Sequence, residues 1–273
     1  MLMNQDEVFI ANRATGKIEL VVGVSGGASR RRQVAEDGCL RVRFPTPEAV
    51  DLEAVIVNTA GGITGGDQHK LNILVQENAR LVVTTVAAEK VYRSLGPNGE
   101  IEIKLKVGAG GRLAWLPQEM ILFDRSRLLR RIDVELAGDA SLILAEMTVF
   151  GRSAMGEVVE TGSFIDRWRV RRDGRLLFAE TVRLDGAVME KLTEPAVAAG
   201  GAAVATVLVA PGHDAMVADV RTFSDGMLGE VGISAWNGLV VARLCAKDSA
   251  SLRQDLVSVL TALGTSLPRL WLN

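Results

Sequence analysis

The sequence predicts a mainly β fold, a β-helix or solenoid-like stack of strands with two or three helices in the C-terminal third. Residues 101–107 alternate apolar and charged side chains, which is the period-two pattern of a strand with one buried face. A turn followed by an apolar run recurs at residues 78–81, 110–113 and 139–142, at intervals of about thirty residues, the range of solenoid units. Helical spacing of apolar residues appears from residue 188 onward. A β-sandwich, whose hairpins give similar patterns, is the alternative.

The first predicted strands cover residues 17–24 and 39–44, and prolines break the chain after the second. A glycine-rich run, NTAGGITGGD at residues 58–67, then connects an apolar run to an alternating one. Strand, tight turn and strand are expected there, because glycine tolerates positive φ and permits close approach of another backbone or a ligand. Asp67 stands where a phosphate-binding loop carries lysine, and no helix is predicted to follow, so nucleotide binding is disfavoured.

The later elements are a hairpin and then the helices. Residues 164–171 and 176–184 flank an Asp-Gly turn and predict two antiparallel strands. Asp248 and Ser249 are predicted to cap the last helix, with Gly264 as its C-terminal stop. No linker divides the chain, so one domain over residues 1–273 is expected. The remaining predictions are helices at 188–192 and 214–223, a short helix and then a buried strand within 196–210, a strand-like stretch at 233–247, and an extended tail at 267–271.

Composition excludes several functional classes. The 273 residues include 31 basic and 33 acidic side chains, a net charge of −2, which gives no overall attraction to nucleic acid or to an anionic membrane. The arginine clusters at residues 30–32 and 167–175 are interpreted as solvated strand faces or turns. At 48% hydrophobic content, the chain has enough apolar side chains for a large core.

The cysteine content and the absence of a signal-peptide pattern predict a protein of the reducing cytoplasm. Cys39 and Cys245 are far apart, so neither a disulfide framework nor a CxxC metal site is predicted, and both are interpreted as buried small apolar residues. The N-terminus lacks the basic and apolar regions of a signal peptide. The longest apolar stretch, residues 200–211, is too short to span a bilayer.

The glycine-rich run resembles the NTxGGxxGGD motif of the urease accessory protein family UreD, called UreH in some bacteria. Further segments resemble the family's motifs in the same order, although Val86 stands where the family usually has proline. These segments are TTVAAEKVYRS at 84–94, LPQEMILF at 116–123, GRSAMGE at 151–157 and LPRLW at 267–271.

The resemblance implies a protein that is not an enzyme and that folds as a β-helix-like stack with a few helices. Family members bind apo-urease, recruit UreF and, through UreF, the GTPase UreG, in a higher-order complex of UreD, UreF and UreG. UreG delivers nickel, and an internal tunnel in UreD is proposed to carry the ion to the urease active site. No tightly bound cofactor is implied, only transient Ni²⁺.

A nickel conduit must bind its ion weakly enough to release it. Ni²⁺ accepts oxygen and imidazole ligands, whereas high-affinity sites use several histidines or thiolates. With only two histidines, His69 and His213, the chain fits transfer better than storage. The candidate transient ligands are Asp67, His69, Ser94, Glu146 and Glu180.

Each candidate has a structural alternative. Glu146 lies within an apolar run, so a tunnel position competes with a buried ion pair, with Arg152 as the suggested partner, or a strand edge. For Glu180, a solvent-facing hairpin position is the favoured alternative to a tunnel position.

The three candidates near the glycine-rich run also have alternatives. Asp67 is expected to cap the turn by accepting backbone N–H bonds, and Ser94 to form a turn hydrogen bond. His69 is interpreted as a surface residue, with ligation as the minor alternative.

The partner surface is predicted on the late helices, residues 214–225 and 248–264, with Trp271 as an exposed anchor. Two other functions stay open. One is a purely structural interaction module without metal transit. The other is a β-solenoid hydrolase or isomerase that uses Glu119 and Asp124 as acid and base, which the low aromatic content of 4% disfavours for carbohydrate substrates.

Overall fold

The computed structural model describes residues 12–45, 51–152 and 155–272. Ser153 and Ala154, part of the GRSAMGE segment, lie outside the described residues. The strands are β1 (Thr15–Ser25), β2 (Ala28–Gly38), β3 (Leu40–Arg43), β4 (Leu52–Asn58), β5 (Gln68–Val75), β6 (Arg80–Thr85), β7 (Glu89–Val91), β8 (Gly99–Val107), β9 (Arg112–Trp115), β10 (Met120–Leu122), β11 (Arg127–Leu136), β12 (Ser141–Phe150), β13 (Thr161–Arg172), β14 (Arg175–Ala187), β15 (Ala203–Ala210), β16 (Glu230–Trp236) and β17 (Leu239–Ala246). The helices are α1 (Val188–Thr193), α2 (Asp214–Arg221) and α3 (Ser249–Ala262), with 3₁₀ turns at Ser224–Gly226 and Arg269–Trp271.

The chain coils between two sheets and forms a β-solenoid of about four turns, which confirms the predicted fold class. In the first sheet, β1, β5, β8, β11 and β13 pair in parallel, and in the second sheet β4, β6, β9 and β12 do the same. Equivalent positions stack in register: Leu71 pairs with Ile103, and Ile103 pairs with Ile132. The predicted repeat of about thirty residues is therefore one turn of the coil.

The space between the two sheets holds the main apolar core. In β8 the burial alternates along the strand, as predicted, and Ile101, Ile103, Leu105 and Val107 point inward. A parallel stack leaves such inward side chains out of water, so branched apolar residues are favoured there. The arginines at residues 30–32 lie on β2 with exposed side chains, as their interpretation as a solvated face predicts.

Antiparallel strands close the C-terminal end of the stack. The β13–β14 hairpin turns at Asp173 and Gly174, both with positive φ, as the Asp-Gly pattern predicts. On the second sheet, β15, β17 and β16 continue antiparallel from β12. The stretch predicted as one strand at residues 233–247 belongs to a hairpin, since Asn237 and Gly238 adopt positive φ and reverse the chain.

A second apolar layer lies on the outer face of the second sheet, beneath α2 and α3. β12 is buried on both faces: Leu142 and Leu144 point into the main core, whereas Ala145 and Met147 point toward the helices. The Asp248 side chain accepts a 2.8 Å hydrogen bond from Ser251 N at the start of α3, and Gly264 has φ +72°, so both predicted caps are confirmed. Among the described residues, no helix combines the length and hydropathy needed to cross a membrane.

The prediction that Trp271 is an exposed anchor for a partner is wrong. Its side chain is 3% exposed and lies in the helix-side core, its Nε1 donates a 2.9 Å hydrogen bond to Leu116 O, and the Arg253 guanidinium lies 5.0 Å from its ring centroid. The tail is a 3₁₀ turn rather than extended at this point. Trp271 therefore fastens the C-terminus to the solenoid.

We expect Trp271→Ala to lower the free energy of unfolding by about 3–5 kcal/mol, because it leaves a cavity and an unpaired carbonyl. Leu272→Ala is the matched control, since the neighbouring Leu272 side chain is 68% exposed. Urea unfolding of both variants measures the difference, and equal midpoints would contradict the assigned role of Trp271.

Candidate functional site

The glycine loop, residues 58–67, lies between β4 and β5, as predicted. Gly62 has φ +151°, and a Cβ there would come within 2.8 Å of Lys90 O. A Cβ on Gly65 would lie 1.9 Å from Ser94 Oγ and 2.4 Å from Pro97 O. Glycine is required because the loop packs directly against residues 90–97.

Asp67 and Ser94 fix the conformation of this region. Asp67 is 4% exposed, and its carboxylate accepts 2.8 Å hydrogen bonds from Ala14 N through Oδ1 and from Thr64 N through Oδ2. Ser94 Oγ donates to Pro97 O at 3.0 Å and accepts from Gly96 N at 3.2 Å. Both side chains form the backbone hydrogen bonds that the structural alternatives predict.

His69 is not the surface residue that the sequence indicates: its side chain is 3% exposed. It lies on β5, and its Nε2 is 3.3 Å from Cys39 Sγ. Burial lowers the pKa of His69 to about 4, although the Asp67 carboxylate acts in the opposite direction. The imidazole is therefore neutral at pH 7. Sequence patterns do not show the contact with Cys39, because the two residues are 30 positions apart and Cys39 lies in the turn between β2 and β3, whereas His69 lies on β5.

Glu89 is a further ionisable group here that sequence reasoning missed. It accepts hydrogen bonds of 3.0 and 3.2 Å from Asn58 Nδ2, which also donates to Gly62 O. Burial raises the pKa of Glu89 to about 7, although these hydrogen bonds act in the opposite direction. Its one sequence signal is its position inside the segment that resembles a family motif.

A cavity of about 560 Å³ lies between the last strands of the two sheets, and both Glu146 and Glu180 line it. Glu146 is 6% exposed and faces inward from β12. The ion-pair alternative is correct in kind but not in partner, because Glu146 pairs with Arg130 of β11, whereas Arg152 pairs with Glu157.

Arg130, Glu146 and Asp166 form a buried charged triad in the cavity wall. Arg130 Nε and Nη2 donate to Asp166 Oδ1 and Oδ2 at 2.9 and 2.7 Å, while Nη1 donates to Glu146 Oε2. Two indoles complete the network: Trp115 Nε1 donates to Glu146 Oε1 at 2.8 Å, and Trp168 Nε1 donates to Asp166 Oδ2 at 2.9 Å. All four carboxylate oxygens thus have a donor.

The charges of the triad do not balance, because one guanidinium faces two carboxylates. Burial raises the pKa of Glu146, although Arg130 acts in the opposite direction. A proton or another cation would compensate the second carboxylate. The cavity is therefore favourable for positive charge.

Glu180 lies across the same cavity and is half-buried rather than fully solvent-facing. It forms a 2.8 Å ion pair with Arg243 of β17. Burial raises its pKa, and Arg243 opposes that shift.

The five candidate ligands form two groups. Glu146 and Glu180 line the cavity, whereas the other three surround the glycine loop. In the part of the chain that the structure describes, no three His, Cys, Asp or Glu side chains are grouped to hold a metal ion. The proposed acid and base of a hydrolase are each held elsewhere, Glu119 by Arg253 at 3.2 Å and Asp124 by Thr161 N at 3.1 Å.

These features define a class: a parallel β-solenoid with ionisable side chains in its interior. A family model described as UreD urease accessory protein matches residues 14–272. A urease accessory protein UreD of Rhodopseudomonas palustris strain CGA009 is 55% identical over 272 residues, covering 99% of this chain and 98% of that protein. UreD of R. palustris strain HaA2 is 57% identical over 97% and 96%, and UreD of Bradyrhizobium diazoefficiens is 55% identical over 97% and 96%. The chain belongs to the UreD family of urease accessory proteins.

We expect Glu89 and His69 to give opposite pH dependences of stability in chelator-treated protein. Between about pH 4.5 and 6.5, the folded state has a protonated Glu89 and a neutral His69, whereas the unfolded state has an ionised Glu89 and a protonated His69. The two states then bind the same number of protons at these groups, so their effects on the pH dependence of stability cancel. In Glu89→Gln the unfolded state binds the extra proton, and stability should rise from about pH 4 to 6.5. In His69→Gln the folded state binds it, and stability should fall from about pH 4.5 to 7.

Relative to the unmodified protein, in which the two effects cancel and the other titrating groups contribute equally, each slope should be about 1 kcal/mol per pH unit. Urea unfolding at half-unit pH intervals measures it, and each variant serves as the control for the other. Slopes of the same sign, or flat profiles in both variants, would show that these two groups do not carry the assigned protonation states.

Proposed function

We propose that this chain is a urease maturation factor without catalytic activity. In the cytoplasm it binds apo-urease and recruits UreF and, through UreF, the GTPase UreG. Ni²⁺ then passes through the interior of this chain to the urease active site. Membership of the UreD family supports the role in maturation. The single observation that supports ion transit is the charge imbalance of the Arg130–Glu146–Asp166 triad in the wall of the cavity.

The chemistry of the cavity wall suits an ion that must leave again. Glu146 and Glu180 offer carboxylate oxygens, which Ni²⁺ accepts but binds less tightly than sets of histidines or thiolates. Each carboxylate already has a cationic partner, Arg130 or Arg243, so an entering ion competes with an internal cation. Competition of this kind weakens binding and favours release.

The candidate residues at the glycine loop form a second group of ion contacts in this proposal. Asp67, His69 and Ser94 are contacts for the ion outside the cavity. Asp67 retains lone pairs beyond its two backbone hydrogen bonds, and the imidazole of His69 is neutral, the form that binds metals.

A structural module without metal transit is the competing function. It is favoured by one observation: every carboxylate oxygen of the triad is hydrogen-bonded within the protein, as in a network that only fixes the fold. The two functions differ in what happens when a cavity carboxylate is neutralised.

We expect Glu146→Gln and Glu180→Gln each to lower the nickel content of co-expressed urease severalfold, because each removes a charge from the cavity while keeping a hydrogen-bonding side chain. Glutamine is preferable to lysine at position 146, since lysine would bury a second cation against Arg130. The measurement is nickel counting on urease co-expressed with all accessory proteins, together with pull-down of UreF.

Glu135→Gln is the matched control, because Glu135 lies on the same strand as Arg130 but is solvent-accessible, with a side chain 43% exposed. Normal nickel content in both cavity variants, with an intact complex, would refute ion transit and leave the structural module.

A further inference from the structure

We propose that Cys39 and His69 form a two-donor binding site for a four-coordinate divalent cation of borderline softness, such as Zn²⁺ or Ni²⁺. The site lies at the glycine-loop end of β5, and neither residue lines the cavity. The inference rests on the proposed function in so far as His69 is a contact for the ion there, but it does not depend on ion transit past Glu146 and Glu180.

The geometry of the pair fits one metal ion. Cys39 Sγ and His69 Nε2 are 3.3 Å apart. With metal–sulfur and metal–nitrogen distances of about 2.3 and 2.05 Å, that separation corresponds to a ligand–metal–ligand angle of about 100°. This angle lies between square-planar and tetrahedral values. A linear two-coordinate ion would hold the two atoms about 4.3 Å apart, so the pair as it stands does not suit linear Cu⁺.

The backbone holds both donors rigidly. Cys39 N donates to Thr15 O at 2.8 Å, and Cys39 O accepts from Thr59 N at 2.9 Å, so the residue is anchored on both sides. Gly16 pairs in register with His69 on the neighbouring strand. A Cβ on Gly16 would lie 2.9 Å from Cys39 Sγ, so a glycine at this position leaves the space through which the thiol approaches the imidazole.

The electrostatic surroundings favour a bound cation. Asp67 and Glu89 both act electrostatically on the Cys39 thiol, and Asp67 also acts on His69. The Asp67 carboxylate, which disfavours a free thiolate, stabilises a metal–thiolate unit of one net positive charge, and Glu89 adds to this field only where it has lost its proton, above about pH 7. Arg41 is the cation that acts on Cys39 in the opposite direction.

The binding step exchanges a proton for the metal. The Sγ–H bond of Cys39 breaks, a metal–sulfur bond forms, and the proton passes to solvent without any change of oxidation state. His69 contributes the lone pair of Nε2 as the neutral imidazole. Cys39 and His69 supply two of the four ligands, so a four-coordinate ion would take two further ligands, such as water molecules.

The chain supplies its own control in Cys245. The sequence contains two cysteines, both partly buried, and burial raises the pKa of each. Cys245 differs in its neighbour, because its Sγ donates to Ala198 O at 3.2 Å and not to an imidazole. A metal response that follows one thiol and not the other identifies the site.

Titration of the full-length, chelator-treated protein with Co²⁺ tests the proposal, because a cobalt–thiolate bond produces a near-ultraviolet charge-transfer band. We expect one Co²⁺ per chain, a band that Zn²⁺ displaces, loss of the band in Cys39→Ser, and an unchanged band in Cys245→Ser. His69→Gln should weaken binding about tenfold or more, since loss of even an indirect partner of a ligand has that effect.

A measurement on the unmodified protein guards against variants that fail to fold. Zn²⁺ should slow the alkylation of Cys39 by iodoacetamide and leave that of Cys245 unchanged. No cobalt band in the unmodified protein, a band that follows Cys245, or equal effects of Zn²⁺ on both thiols would overturn the proposal. The nickel content of urease co-expressed with the Glu146→Gln and Glu180→Gln variants tests ion transit through the cavity separately, so the two proposals can fail independently.

Discussion

The ion pairing of Arg130 with Glu146 and Asp166 is the interaction on which the interior of this solenoid depends. Inward-facing positions of a parallel stack lie out of water, and along β1, β5 and β8 branched apolar side chains fill most of them, with His69 on β5 as the polar exception in these three strands. On β11 the Arg130 side chain, which is 2% exposed, occupies one of these inward-facing positions. Such a group is tolerated only because two carboxylates and two indoles surround it. The cavity begins where this polar network replaces apolar packing.

The glycine loop marks a second departure from the regular stack. Its backbone packs so closely on residues 90–97 that two of its glycines leave no space for a side chain. Ile63 N donates to Lys90 O, and Tyr92 N donates to Ile63 O, both at 2.8 Å, which joins the loop to the next turn of the coil. The same packing shapes the region that holds the buried His69 and the partly buried Cys39 and Glu89. The glycine-rich motif thus combines a steric requirement with one buried carboxylate of its own, Asp67, and lies beside these further ionisable groups.

Strands, turns and helix starts, which depend on residues close together in the chain, could be predicted from local sequence patterns. Alternation placed β8, the Asp-Gly turn placed the β13–β14 hairpin, and Asp248 placed the start of α3. The failures concern contacts between distant segments. Trp271 reaches Leu116 across 155 positions, and the partner of Glu146 is Arg130 rather than the nearer Arg152, because β11 and β12 face each other from opposite sheets. Single-sequence patterns show that a side chain prefers burial but not which strand covers it.

The two groups of donors differ in chemical hardness, and this difference has a consequence for an ion that meets both. In the proposed transit, a divalent ion in the cavity would compete with the resident guanidinium groups for the carboxylate oxygens, so it would bind weakly. At the proposed Cys39–His69 site, a thiolate and an imidazole would bind a borderline ion more strongly, but two donors would leave its coordination incomplete. The affinity for the ion would thus be limited by competition at the first site and by the number of ligands at the second. Under these proposals both limits favour exchange of the ion over storage, which is the property that a maturation factor for a metalloenzyme requires.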